Sequence, residues 1–115
     1  MIFQRIILCV FISTFFLLPM AFAHPPSGVE LSYDSANGAL TVQAEHVSKN
    51  PRKHYVRRIA VSKNQEDPVG FSFSSQNSAS RVFEQIPFQA NRDDVIHAKL
   101  ICSEAGQSEA TITIP

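Results

Sequence analysis

The sequence predicts an all-β fold, a small antiparallel sandwich of about seven strands behind a cleaved leader. Three observations predict it. Apolar and polar residues alternate in short runs, no long stretch after the leader has helical periodicity, and turn formers recur at short intervals.

The leader is residues 1–23, which read as a secretory signal peptide. Met1 to Arg5 carries one positive charge, and Ile6 to Leu18 is apolar except for Ser13 and Thr14. Pro19 breaks that run, and Ala21-Phe22-Ala23 offers the small-x-small pattern that signal peptidase accepts. The apolar run is shorter than the roughly 20 residues that span a bilayer, and no Lys or Arg cluster follows it. Export to the periplasm or the medium is therefore expected, with the membrane a partner only during export. Cleavage would make His24 the first residue and remove Cys9, leaving Cys102 as a lone cysteine. In an oxidising compartment such a thiol is expected to be buried, paired between chains or bound to metal. The remaining residues, 24–115, form one small domain. Nine Lys and Arg stand there against ten Asp and Glu, so the balance gives no reason to expect nucleic acid as a partner.

The strands follow in order. Val29, Leu31 and Tyr33 alternate with polar residues, and Asn37-Gly38 supplies the positive φ angles of a tight hairpin turn. Leu40, Val42 and Ala44 share a face of the next strand, and His46 continues that face at the strand's end. After the polar loop Val47 to Lys53, His54 opens a strand to Val61 rich in β-branched and aromatic residues. Arg57 and Arg58 fall on its two faces, which leaves its inward side open. Asn64 to Pro68 is a turn, and Val69 to Phe73 and Arg81 to Phe88 are strands separated by the Ser-rich loop 74–80. Pro87 marks an edge or bulged strand. In Val95 to Cys102, Ile96, Ala98, Leu100 and Cys102 face inward while His97 faces out. Gly106 turns the chain into a last strand, Ala110 to Ile114. Seven such strands fit an immunoglobulin-like sandwich.

Four potential ligands fall at strand ends. A hairpin places the start of the first strand, and so His24, beside the end of the second, and so His46. His54 reaches the same rim if the third strand returns antiparallel. Cys102 does so only if its strand runs in the direction of the second. Three imidazoles and a thiolate favour a soft or borderline metal, iron, copper or zinc; calcium and magnesium would need a carboxylate cluster. Singly, each residue is more commonly a surface histidine or a small core thiol.

The segment His54-Tyr55-Val56-Arg57-Arg58-Ile59-Ala60-Val61, with the late strand ending in Cys102 and then Gly106, resembles the iron-binding domain of superoxide reductases, which include desulfoferrodoxin and neelaredoxin. The resemblance covers essentially all of 24–115. It implies a mononuclear non-haem iron on four equatorial histidines and an axial cysteine, with an open position where superoxide takes one electron and leaves as hydrogen peroxide. His24, in a His-Pro-Pro context, His46 and His54 match family histidines, and Cys102 matches the axial thiolate. The electron donor is unknown. The chain departs from the pattern at Ala105, where the family has a histidine, and its loop from His46 to His54 is longer. A lysine and glutamate that precede the family's first histidine have no counterpart after cleavage at Ala23.

Lys49 and Lys53, with Arg52, Arg57 and Arg58 nearby, could steer a small anion such as superoxide to the rim; a solvated loop and an exposed strand face are the competing reading. Two further functions fit the residues. One is a periplasmic copper-binding module in which the α-amino group and imidazole of His24 act with His46 and His54. The other is a metal-free immunoglobulin-like interaction domain in which Cys102 is simply buried. Nothing resembles a Ser-His-Asp set or a phosphate-binding glycine loop.

Overall fold

A computed structural model describes residues 24–115; the expected leader, 1–23, lies outside the described residues. Seven strands follow in sequence: β1 (Ser27–Asp34), β2 (Ala39–Glu45), β3 (Val56–Lys63), β4 (Val69–Ser72), β5 (Arg81–Pro87), β6 (Val95–Cys102) and β7 (Gln107–Thr113). Every pairing is antiparallel, and the strands form two sheets, ordered β1-β2-β5 and β4-β3-β6-β7. This is the all-β sandwich that the alternation predicts.

Period-two patterning fills the space between the sheets. Leu40, Val42 and Ala44 of β2 and Val82 and Ile86 of β5 are buried, and Ile59 and Val61 of β3 and Ile96, Ala98 and Leu100 of β6 belong to the same cluster. Tyr33 closes one flank by donating its hydroxyl to the Phe88 carbonyl at 2.8 Å and accepting the Ala90 amide at 3.0 Å. Pro87 ends β5, an edge strand, where its missing donor breaks no ladder.

Three elements differ from the sequence reading. The β1–β2 turn is not a two-residue turn with two positive φ angles. Asp34 accepts the amides of Ala36 and Asn37 at 3.0 and 3.2 Å, and in this turn only Gly38 takes a positive φ, 61°. The third strand begins at Val56 rather than His54, because the His54 amide instead closes a turn on the Asn50 carbonyl at 2.8 Å. The two-faced arginines have a cause: the register with β6 slips between Val56 and Arg58, so a bulge at Arg57 turns both arginines to solvent. Finally, β7 starts three residues early, its polar first half being recruited by backbone pairing to β6.

At the pole opposite the ligand-bearing rim, Asp94 accepts the Asn91 amide at 2.7 Å and the Asn64 side-chain amide at 2.8 Å. These bonds, the Asn91 amide first, hold its carboxyl below the ordinary value of 3.8. A carboxylate with a depressed folded pKa contributes stability above its unfolded value and loses that contribution as pH falls through the folded one. Replacement by alanine is therefore expected to lower the urea midpoint at neutral pH and to flatten its decline below about pH 4. Parallel acid profiles for the two proteins would remove Asp94 from that decline.

Candidate metal centre

The parity that sequence alone leaves open is settled by strand direction. Val56, at the start of β3, pairs with Cys102, at the end of β6, and Ser27, at the start of β1, pairs with Glu45, at the end of β2. The starts of β1, β3, β5 and β7 and the ends of β2, β4 and β6 therefore share one rim. Both sheets contribute to it, and the loops 46–55, 73–80 and 103–106 cover it.

Backbone bonds fix these loops. The amides of His46 and Ser48 donate to the carbonyls of Ser80 and Ala79 at 3.0 and 2.7 Å, which ties the end of β2 to the loop before β5. The Ser48 hydroxyl, buried, donates to the His54 carbonyl at 2.5 Å, and the Ser103 amide donates to the Tyr55 carbonyl at 2.8 Å. Gly106, at φ +86°, lets the β6–β7 turn lie against the amino-terminal segment; a Cβ there would come within 2.9 Å of the Pro25 Cβ.

On this scaffold His46, His54 and Cys102 converge. One ligand atom from each lies within 4.8 Å of the others. His54 Nε2 is 3.0 Å from Cys102 Sγ, and the two imidazoles meet edge to face with ring centroids 4.6 Å apart. His46 is 2% exposed and Cys102 4%, whereas His54 opens toward solvent on one side. His46 Nδ1 bonds Gln76 Oε1 at 2.6 Å, yet its Nε2 is buried with no hydrogen-bond partner among the described residues. An orphaned ring nitrogen costs about 1–3 kcal/mol when left without a partner. Two imidazoles and a thiol at this spacing are a donor set suited to a borderline or soft ion, and an ion would satisfy that nitrogen. The residues fit a metal.

The other expected site residues lie around this trio. His24, Lys49, Lys53, His54 and Glu104 line one open cleft of about 560 Å³, and His24 also borders a second with His46. His24 is thus at the rim, outside the convergent trio. Lys49 and Lys53 are exposed on the cleft wall, and Ala105 sits in the turn beyond Cys102. His97 lies on the outward face of β6, 3.6 Å from Glu109.

Two residues were not identified from the sequence. Gln76 lies in the Ser-rich loop, where no periodicity marks a buried side chain. Glu104, with Oε2 4.0 Å from His54 Nδ1, follows Cys102 by two positions in an exposed turn. A polar residue close to a candidate ligand was the available signal for Glu104; Gln76 had none.

No protein-family model matches the chain, and no curated protein does. Among solved structures, the chain is similar to a superoxide reductase (neelaredoxin) from Ignicoccus hospitalis at 20% identity, covering 79% of each chain with a TM-score of 0.44. One variant of that protein gives 17% identity over 78% of this chain and 80% of its own, with a TM-score of 0.47. Another gives 18% identity over 80% and 79%, with a TM-score of 0.44.

Proposed function

We propose that the chain is an exported mononuclear metal-binding protein whose ion is held by His46, His54 and Cys102. The observation that carries this reading is the buried, unpartnered Nε2 of His46 beside a second imidazole and a thiol. Iron is the metal and superoxide the substrate that the sequence resemblance implies, with the signal peptide at 1–23 and the functional domain at 24–115.

A bound redox metal supplies one-electron chemistry; the chain supplies the rest. Cys102 offers a thiolate and the two histidines offer neutral imidazoles. Burial of His46 and Cys102 keeps water from one side of the trio, while His54 faces the cleft. Lys49 and Lys53 on the cleft wall attract a small anion toward His54, a pull that salt screens over about 8–10 Å. The electron itself has to come from a donor outside this chain.

A second reading, copper in place of iron, is favoured by one observation: His24 borders clefts shared with His46 and with His54. After cleavage its α-amino group and imidazole together would chelate copper beside the trio.

The test is metal content and visible absorption of the protein purified after export. One iron per chain, a thiolate-to-metal band on oxidation and consumption of superoxide are expected. Copper at one per chain, lost when a residue is retained ahead of His24, moves the assignment to the amino-terminal chelate. A colourless protein that takes up no metal leaves a sandwich acting as an interaction domain and overturns the proposal.

A further inference from the structure

We propose that Gln76 is the positioning residue of the metal centre: it fixes the tautomer of His46 so that Nε2 presents a lone pair to the ion. This rests on the metal-centre reading and deepens it.

The amide orientation of Gln76 follows from its partners. Its Nε2 donates to the carbonyls of His46 at 2.6 Å and Ser78 at 2.8 Å. Flipping the amide would set its oxygen against both carbonyls, two acceptor–acceptor contacts in a buried place, and would aim its NH₂ at the imidazole. The oxygen is therefore the atom that meets His46 Nδ1 at 2.6 Å. A carbonyl oxygen only accepts, so Nδ1 carries the proton. In neutral imidazole the other nitrogen is then bare, and that nitrogen is the buried Nε2 without a partner.

The three bonds of one side chain thus hold the His46 backbone, ring angle and tautomer together. Gln76 is itself 7% exposed, so water competes weakly for any of them. A ligating histidine whose second nitrogen donates to a fixed acceptor is the arrangement by which proteins aim an imidazole at a metal. Glu104, at 4.0 Å from His54 Nδ1 and partly exposed, is too far for the same bond in this structure. The two histidines are consequently unequal: His46 Nδ1 is held by the buried Gln76 amide, whereas the His54 ring is held through Nε2 by its 3.0 Å contact with Cys102 Sγ.

Two variants and two readouts test this. Gln76→Leu removes the acceptor and both donated bonds. Gln76→Glu keeps an acceptor oxygen for Nδ1 but sets its second oxygen against the His46 and Ser78 carbonyls, a cost that urea unfolding of the metal-free protein reads separately from affinity. The first readout is the ¹⁵N shifts of the His46 ring in the metal-free protein, which report the tautomer. The second is affinity for Co²⁺, with the thiolate-to-cobalt band as signal.

Wild type and Gln76→Glu are expected to hold the proton on Nδ1 and bind Co²⁺ within a few-fold of each other. Gln76→Leu is expected to give mixed tautomers and affinity about 10–100-fold weaker. If both variants lose affinity equally while the tautomer stays put, Gln76 acts only by tethering the loop and the proposal falls. It falls also if Gln76→Leu matches wild type in both readouts. A wild-type protein that ignores Co²⁺ while its ring proton sits on Nδ1 through Gln76 would overturn the metal-centre reading and, with it, this role for Gln76.

Discussion

Cys102→Ser is expected to weaken metal binding by about two orders of magnitude. Four-ligand structural zinc sites are worth roughly 10–16 kcal/mol, or about 3 kcal/mol per ligand, and each 1.4 kcal/mol is tenfold. A serine hydroxyl occupies nearly the volume of the thiol, but it stays protonated near neutral pH and is a poor partner for a soft ion. The fold itself should lose little, because a hydroxyl can keep a hydrogen bond to His54 Nε2, which now lies 3.0 Å from Sγ. The two effects are separable by measuring Co²⁺ affinity by competition and urea stability of the metal-free protein. Loss of the thiolate-to-cobalt band together with the weaker affinity is the expected pattern. Unchanged affinity would exclude Cys102 as a ligand and leave it a core residue.

The largest effect on the fold itself is expected at Leu100. This side chain is fully buried on β6, which lies between β3 and β7, with Ile59 and Ser108 opposite it in the two registers. Truncation to alanine removes three carbons from a packed interior and leaves a cavity that rigid sheets cannot close, at about 2–5 kcal/mol. For a domain of this size that corresponds to a fall in Tm of about 10 °C or more. Thermal and urea unfolding of the metal-free protein measure it. A loss below about 1 kcal/mol would mean that the inner faces move together to fill the gap.

The sequence marked the strands wherever one face was buried, since burial on one side writes a period of two. Leu40, Val42 and Ala44, and Ile96 to Cys102, are such runs, and their faces are as expected. Edge strands were harder to delimit: β7 carries Gln107, Ser108 and Glu109 in regular pairing, and only the ladder with β6 reveals them. The bulge at Arg57 was visible as broken alternation but not interpretable, because an extra residue and an unpaired face look alike in one strand. At the site, His46 and Cys102 were legible as inward strand ends. The direction of β6 relative to β2 was a matter of topology, which local pattern does not encode. Gln76 was hidden because its burial comes from loop bonds rather than from strand register.

His46 continues β2 in one sheet and Cys102 ends β6 in the other. Immunoglobulin domains commonly join their second and sixth strands across the sandwich with a disulfide. This chain has one thiol among its described residues where that bond needs two. An ion shared by His46 and Cys102 would make the same cross-link, closing the long loop between them at a chain-entropy gain of about 4 kcal/mol. Its strength would follow the supply of metal, and withdrawing the ion would unfasten the two layers at this rim first.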